Sequence, residues 1–364
     1  MDILVINAGS TSVKLTRFTN HQRVLEEKFP ADAPADRTLR AFCDSQIPEV
    51  VAHRVVHGGA DLSETVFIND SIAAQIDRLS KLAPLHNPFA SRWIAASRRL
   101  WKSVPGAAVF DTGFFADLPP VAAHYALPRD LSERYGIRRY GFQGIAHQAM
   151  WQSWCEIHPE LERGGRLISL QLGGGASAAA IDQGRPIDTS MGFSPLEGLI
   201  MATRSGDLDP GIILFLVRKL GDGAADIDTV EKILNRESGL LGLSGGRTAD
   251  MKELLSHPSV LAREAVSAYC YRAKKYVGAY LAALGGADGI VFGGGVGENA
   301  AWVRSRILEG LEPFGIHLDT NRNDTHSDSP VQISTTRSPI GVWVLPVDEA
   351  LVIAREVEAL AATR

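Results

Sequence analysis

A strand, a loop of small polar residues and a second strand occur in this order twice in this chain of 364 residues. The first copy runs from Ile3 through the loop 7–12 to Leu15, and the second runs from Leu167 through the loop 173–177 to Ile181. Small residues let a ligand approach the backbone N–H groups closely, and glycine tolerates unusual φ angles. The repeated pattern therefore predicts two related half-domains that grip a polyphosphate between them.

The similarity of the two halves extends to a later strand. In the first half the apolar run 108–110 ends in Asp111-Thr112-Gly113, and in the second half the run 289–292 ends in Gly293-Gly294-Gly295. Against this, strands that end in glycine are common in any α/β protein. Short apolar strands alternate with longer helical patterns along the chain, which favours an α/β fold. The predicted strands include 107–110, 167–172, 289–292 and 341–345, and the predicted helices include 71–82, 88–101, 261–284, 300–308 and 349–361.

Composition excludes several classes of function. The formal net charge is -5, so no global basic field attracts nucleic acid. Three cysteines, far apart, exclude a disulfide framework and a cysteine-type zinc site. No apolar run reaches the length of a membrane span, and the chain starts with a strand pattern rather than a signal peptide. These features indicate a soluble cytoplasmic protein that binds neither nucleic acid nor membrane.

Two arginines lie where an anion is expected. Arg54 is inside the apolar run 50–56, where a guanidinium needs either an internal carboxylate or a bound substrate. The sequence does not distinguish between these two partners for Arg54, an internal carboxylate and a bound substrate. Arg204 lies in the polar turn cluster 201–210, which suits a site loop and equally an ordinary surface loop.

Two acidic positions begin helical patterns. Glu349 follows the strand 341–345, so its carboxylate either complements the helix dipole or binds Mg²⁺ carried by phosphates. Glu298 and Asn299 follow the glycine run 293–297, where anion binding and simple helix capping are both possible.

A pair of aspartates offers a different interpretation. Asp111 and Asp188 lie in Asp-Thr-Gly and Asp-Thr-Ser triplets, as the paired aspartates of an aspartic protease do. Such a dyad needs two symmetric β-rich lobes, whereas this chain is rich in helices between its strands. We therefore expect no peptide cleavage.

Taken together, the ordered motifs closely resemble those of the acetate kinase (acetokinase) family of the actin/sugar-kinase/Hsp70 superfamily, over nearly the whole chain. They are LVINAGSTS (4–12), HRVVHGG (53–59), PLHNP (84–88), FDTGFF (110–115), YGIRRYGF (135–142), DTSMG (188–192), PLEG (195–198), TRSGD (203–207) and GVGEN (295–299).

The resemblance implies an α/β fold of two duplicated actin-like, ribonuclease H-like domains with an interdomain cleft. The first domain would comprise 1–114 and 350–364, and the second 115–349. The implied activity is reversible, Mg-ATP-dependent phosphorylation of acetate to acetyl phosphate by direct in-line transfer, with Mg²⁺ as cofactor and a homodimer as the assembly. The alternatives are a kinase for propionate or another short acyl acid, a different phosphoryl donor, and a catalytically weakened nucleotide-binding protein.

The resemblance also implies roles for individual residues. The catalytic set is Arg54, Asp111, Gln143, His147 and Arg204. The acyl pocket is Val56, Leu85, Phe142 and Pro195, beside Arg54. Asn7 and Glu349 would bind Mg²⁺, with Asp111 close to it. The nucleotide side comprises Lys14, Gly173, Gly174, Gly175, Asp250, Met251, Lys252, Gly294, Gly295, Val296, Gly297, Glu298 and Asn299.

The chain is a few tens of residues shorter than typical members of the family, and four of its departures from the family motifs bear on the site. Gln143 replaces a histidine that is thought to stabilise the transferring phosphoryl group. Gln171 and Gly174 replace a histidine and a phosphate-contacting asparagine, and Lys252 replaces the usual arginine. Glutamine still donates a hydrogen bond but carries no charge. These changes bear on the catalytic rate and the phosphoryl donor more than on the fold. A carboxylate acceptor is already ionised at neutral pH, so the reaction needs no strong general base.

Overall fold

In the computed structural model, the described residues are 1–9, 12–44, 46–81, 83, 86–220 and 225–363. They form two compact units. The first comprises Met1–Ala116, Phe142–Ala149 and Asp348–Arg364, and the second comprises Asp117–Gly141 and Met150–Val347. The segment 142–149 thus groups with the first unit, whereas the sequence-based division assigned it to the second. The domain boundaries proposed from the sequence stay a prediction.

Each unit contains one six-stranded sheet. The strands of the first unit are β1 (Asp2–Ala8), β2 (Ser12–Thr19), β3 (Gln22–Pro30), β4 (Val50–Val55), β5 (Val66–Phe67) and β6 (Gly106–Phe110). Those of the second unit are β7 (Arg166–Leu172), β8 (Ala176–Asp182), β9 (Arg185–Thr189), β10 (Gly289–Gly293), β11 (Val331–Gln332) and β12 (Gly341–Val344).

The two sheets have the same topology. The strand order of the first sheet is β3-β2-β1-β4-β6-β5. The strand order of the second sheet, read from the edge strand next to its hairpin, is β9-β8-β7-β10-β12-β11. In each sheet, three antiparallel strands are followed by two parallel strands and an antiparallel edge strand. The predicted duplication and the α/β fold of two actin-like domains are therefore confirmed.

The equivalence drawn between individual strands needs a correction. The sequence paired the strand before Asp111 with the strand before Gly293, which are β6 and β10. In the sheets, β10 lies beside the hairpin strand β7, as β4 lies beside β1, so the counterpart of β10 is β4 and that of β6 is β12. A glycine after a strand did not distinguish these two places, because buried parallel strands have similar apolar sequences.

Five of the α-helices were predicted from the sequence, and their ends agree within one residue except for the helix predicted at 71–82, which ends at Arg78. The α-helices of the described residues follow in chain order. They are α1 (Ala35–Cys43), α2 (Asp70–Arg78), α3 (Asn87–Leu100), α4 (Pro120–Ala123), α5 (Arg129–Tyr135), α6 (Gly144–Ile157), α7 (Pro210–Lys219), α8 (Ala225–Lys232), α9 (Gly239–Leu243), α10 (Met251–Ser256), α11 (Val260–Leu284), α12 (Gly294–Asn299), α13 (Ala301–Leu308), α14 (Thr320–Asn323) and α15 (Glu349–Ala362). None of them, within the described ranges, is both long and apolar enough to cross a membrane.

The parallel strands bring polar residues to one edge of the first sheet. Strand β4 is parallel to both β1 and β6, so the carboxyl ends of the three strands meet. Strand β6 is buried along its whole length, and β1 and β4 are buried along most of theirs. The core therefore fixes the strand ends on which Asn7, Arg54 and Asp111 lie.

Candidate active site

Four side chains of the first unit form a connected polar cluster. Arg54 Nε donates to Asp111 Oδ1 at 2.9 Å, and Nη2 donates to Asp111 Oδ2 at 2.5 Å. Arg54 Nη1 donates to Asn7 Oδ1 at 2.9 Å, and Asn7 Nδ2 donates to Glu349 Oε2 at 2.7 Å. Strands β1 and β4, the end of β6 and the first turn of α15 thus meet at one site.

The electrostatics of this cluster keep Arg54 charged. Burial alone lowers the pKa of Arg54, but the attraction of Asp111 and Glu349 outweighs burial and raises the pKa above its ordinary value. The Asp111 side chain is only 1% exposed and that of Arg54 only 14% exposed. Because both charges are buried, removing either partner would leave the other uncompensated.

The structure selects between the two partners open for Arg54 in the sequence. Asp111 is the internal carboxylate that the guanidinium needs. A guanidinium has five N–H donors, and three of those of Arg54 are used by Asp111 and Asn7. Two donors remain without a partner among the described residues. Arg54 is therefore both held internally and able to donate to an anionic substrate.

A tight turn places Gln143 against Asp111. Gln143 has φ of 57°, in the left-handed region, and its backbone hydrogen-bonds the Asp111 carboxylate. The N–H of Gly144 donates to Asp111 O at 3.0 Å, and a Cβ on Gly144 would lie 2.1 Å from that oxygen. Strain of this kind clusters at functional sites. The position that departs from the family pattern is thus part of the cluster through its backbone.

His147 lies in the first turn of α6 and is completely buried. Its ring packs edge-on against Phe115, and burial lowers its pKa to about 3. It is therefore neutral at physiological pH, and its catalytic role stays a prediction.

The residues predicted for the acyl pocket belong to different units. Val56 and Phe142 lie in the first unit and are 5% and 1% exposed. The ring of Phe142 meets the ring of His57 edge-on, with centroids 5.3 Å apart. Pro195 lies in the second unit, and Leu85 is outside the described residues.

Arg204, in the second unit, has surroundings opposite to those of Arg54. Its Nη1 donates to Pro195 O at 2.7 Å, and no carboxylate lies within ion-pair distance among the described residues. Burial lowers its pKa to about 10, which still leaves it charged at neutral pH. Arg204 is half-buried. A partly desolvated cation without a carboxylate is costly, so this position is suited to an incoming anion.

The second hairpin loop is closed by its own backbone. Gly173 N donates to Gly175 O at 3.0 Å, and Ala202 N donates to Gly174 O at 3.0 Å. A Cβ on Gly174 would meet nothing within 4 Å. The side chain that the family has at this position would therefore have room, and its loss in this chain leaves open space.

The short helix α12, which directly follows β10, is held by Glu298. Its Oε1 accepts from Gly294 N at 2.9 Å and from Val347 N at 3.2 Å, while Asn299 Nδ2 donates to Gly295 O at 2.9 Å. Both side chains therefore bond backbone groups of their own unit. Gln171, near the end of β7 and beside the start of α12, has a buried Oε1 without a hydrogen-bond partner among the described residues.

The remaining residues predicted for the nucleotide side lie in different settings. Lys14 forms an ion pair with Glu26 at 3.0 Å. Asp250 caps α10 by accepting from Glu253 N, Met251 is buried, and Lys252 is exposed. Their nucleotide-binding roles stay predictions.

The first-unit cluster offers the oxygen donors that Mg²⁺ prefers. Within the described part of the chain no group of three or more His, Cys, Asp or Glu side chains could hold a metal ion by itself. Both Asp111 oxygens are bound by Arg54, whereas Glu349 bonds through Oε2 alone. A single available carboxylate with an amide beside it fits a cation that keeps its waters and binds substrate phosphates.

Sequence reasoning missed a second set of residues that hold the Arg204 region. Asp207 accepts hydrogen bonds from Gly198 N and Tyr276 OH. Glu197 on the same loop is held by Arg139 at 2.7 Å and by the Tyr125 hydroxyl. Asp207 and Glu197 lie in motifs quoted from the sequence, but Tyr276 lies in the middle of a long helix and no local pattern marks it.

Comparisons with known proteins identify the family of this chain. The model of the acetokinase family matches residues 40–355. This chain belongs to the acetokinase family. The acetate kinase of Clavibacter michiganensis is 47% identical over 321 residues, covering 88% of this chain and 80% of that protein.

Solved structures of the family match the whole chain. The crystal structure of acetate kinase from Porphyromonas gingivalis has a TM-score of 0.87 at 34% identity, covering 99% of each chain. A propionate kinase from Francisella tularensis has a TM-score of 0.88 at 32% identity, covering 98% of each chain. The family predicted from the sequence motifs is therefore confirmed.

Proposed function

We propose that this protein is an acetate kinase, which transfers the γ-phosphoryl group of ATP to acetate and gives acetyl phosphate and ADP reversibly. The observation that carries this proposal is the pair of half-buried arginines with free donors. Arg54 has two N–H donors left after binding Asp111 and Asn7, and Arg204 has no carboxylate partner among the described residues.

The chemistry needs little beyond charge stabilisation and positioning. A carboxylate oxygen of acetate forms the new P–O bond while the bond to the ADP oxygen breaks, and no proton is transferred. The obstacle is the repulsion between two anions, together with the charge on the equatorial oxygens of the phosphoryl group. Guanidinium donors in a buried site oppose both effects. We assign this role to Arg54 and Arg204, with Asp111 orienting Arg54.

We propose that Glu349 and Asn7 hold Mg²⁺ that arrives with the nucleotide. When bound, this cation would neutralise phosphate charge. Glu349 is held in place by Asn7, and Asn7 in turn by Arg54. Removing the Glu349 carboxylate should therefore raise the Mg²⁺ concentration needed for half-maximal activity, without changing the fold.

A coupled assay of ADP release tests the proposal. Acetate, propionate and butyrate should be compared by kcat/KM, with ATP and pyrophosphate as donors. We expect acetate with ATP to be the best pair. ATP binding without any acyl phosphate formation would contradict the proposal and favour a weakened nucleotide-binding protein, as the changes at Gln143, Gln171 and Gly174 allow.

A kinase for propionate is the second candidate. It is favoured by the similarity to the Francisella structure named as a propionate kinase. A higher kcat/KM for propionate than for acetate would identify this activity.

We also propose a homodimer in which α7 contributes to the contact. None of the α7 side chains is buried, and Ile212, Leu214 and Phe215 are between 43% and 57% exposed. Contiguous apolar side chains on a surface mark protein contacts, and most such contacts in oligomers join two copies of one chain.

A further inference from the structure

We propose that Asp207, Arg272 and Tyr276 form a positioning cluster that holds Arg204 in its active place. These three residues are called the Asp207 cluster below. None of them is expected to touch a substrate. The inference rests on the proposed function of Arg204, and it adds a set of residues that acts through it.

Asp207 joins two loops through both its backbone and its side chain. Its N–H donates to Gly198 O at 3.0 Å, and its Oδ1 accepts from Gly198 N at 2.8 Å. The loop 195–198 and the loop 203–207 are thereby clamped together. Gly206 has φ of 67°, and a Cβ there would lie 2.5 Å from Gly198 O, so the clamp needs glycine at this position.

Helix α11 holds this clamp from outside. Tyr276 OH donates to Asp207 Oδ2 at 2.9 Å. Arg272 Nη1 donates to Gly198 O at 3.0 Å and to Asp207 O at 3.3 Å, and it lies 3.3 Å from Asp207 Oδ2. Burial and the Asp207 carboxylate both raise the pKa of Tyr276, so its hydroxyl stays protonated and remains a donor.

The clamped loops are the ones that hold Arg204. Its guanidinium bonds Pro195 O in the loop 195–198, and its backbone belongs to the loop 203–207. With no carboxylate partner among the described residues, Arg204 has little of its own to fix its direction. A rigid support removes this freedom and keeps the donors oriented before the anion arrives.

The test compares Tyr276→Phe with Tyr271→Phe in the full-length protein. Both tyrosines lie on α11, but Tyr271 is 65% exposed and serves as the matched control. Losing one hydrogen bond to a charged group should lower kcat/KM for acetate about tenfold. The KM for ATP should stay within about twofold of the parent value, because the cluster acts on Arg204 and not on the nucleotide.

A double-mutant comparison separates positioning from general stability. If Tyr276 acts through Arg204, adding Tyr276→Phe to Arg204→Lys should lower activity by less than about twofold, because the two losses then overlap. A full tenfold loss in that background would overturn the proposal. So would Tyr276→Phe kinetics equal to those of the parent.

Hydrogen exchange gives a readout that does not depend on turnover. The backbone amides of residues 195–207 should exchange faster in Tyr276→Phe than in the parent protein. Their exchange rates in Tyr271→Phe should equal those of the parent. If the parent protein makes no acyl phosphate, the proposed function fails, and exchange alone then decides whether the cluster orders these loops. Unchanged exchange at 195–207 would overturn the positioning role.

Discussion

Arg54 and Arg204 carry the same charge in opposite surroundings. Arg54 has a buried carboxylate partner, and Arg204 has only a backbone carbonyl among the described residues. Removing Arg54 would therefore leave the Asp111 carboxylate uncompensated, whereas Arg204 has a desolvation cost without a compensating ion pair. Substitution by lysine at each position separates the proposed role in catalysis from the effect on stability.

We expect Arg54→Lys to lower kcat about 100-fold and the free energy of unfolding by about 2 kcal/mol, because lysine loses the fork that binds Asp111. Arg204→Lys should lower kcat by a similar factor and leave the free energy of unfolding within about 0.5 kcal/mol. Steady-state kinetics and urea unfolding measure both. Near-parental activity in both variants would reject the catalytic assignment.

Gln143 is the second residue whose role can be separated by substitution. Its backbone conformation is one that histidine also adopts more readily than most residues, so Gln143→His should fold normally. A histidine would restore the family's side chain beside Asp111. We expect kcat to be maintained or raised. A large fall in kcat would show that the site has been rebuilt around the amide.

His53 gives a prediction about pH. Burial lowers its pKa from 6.5 to about 3, and its Nδ1 has no partner among the described residues. Between these values the unfolded chain binds a proton that the folded chain does not, so stability falls as pH drops below 6.5. In this pH range His53 alone should lower the free energy of unfolding by about 1.4 kcal/mol for each unit by which the pH falls.

His53→Gln should reduce the slope of unfolding free energy against pH by about one proton between pH 4 and 6. The same substitution at His317, which is exposed, is the control and should leave the slope unchanged. Equal slopes in all three proteins would contradict the burial of a neutral His53.

At the scale of elements, the start of α6 is the tightest junction at the site. Gly144 begins this helix with Asp111 O in the space of a side chain, whereas a Cβ on Gly278 in α11 would meet nothing within 4 Å. The same substitution should therefore have opposite effects at the two positions.

We expect Gly144→Ala to lower the free energy of unfolding by about 2 kcal/mol and to reduce turnover by displacing Asp111. Gly278→Ala should raise the free energy of unfolding by about 0.5–1 kcal/mol, because alanine is the better helix former. Thermal or urea unfolding measures both. A stabilising Gly144→Ala would show that α6 can move away from β6 freely.

At the scale of the whole molecule, the exposed apolar side chains of α7 concern assembly. We expect Leu214→Glu to convert a dimer into a monomer, because it buries a charge in the proposed contact. Val121→Glu is the control, since Val121 is 94% exposed and lies away from α7 in sequence. Sedimentation velocity should show a loss of the dimer for Leu214→Glu alone. A monomeric parent protein would contradict the proposed assembly.

The repeated hairpin pattern in the sequence correctly predicted the duplicated architecture. Each hairpin became the start of a six-stranded sheet with the same topology. Helix and strand positions followed from local patterns, since apolar spacing and glycine ends are local signals. The predicted equivalence of β6 and β10 was wrong, because the order of strands in a sheet depends on pairing between segments that are far apart in the sequence.

Sequence by itself determined the family, the α/β class, the duplication and the residues that meet at the strand ends. Their motifs are local, and parallel strands bring their carboxyl ends together whatever lies between them. Only the tertiary structure decided that Asp111 is the partner of Arg54, that Arg204 has no carboxylate partner among the described residues, and that Tyr276 donates to Asp207. Such pairings form between residues that are far apart in the chain, so no local pattern shows them. Burial of the paired groups then shifts their pKa values and sets the desolvation free energy of each charge.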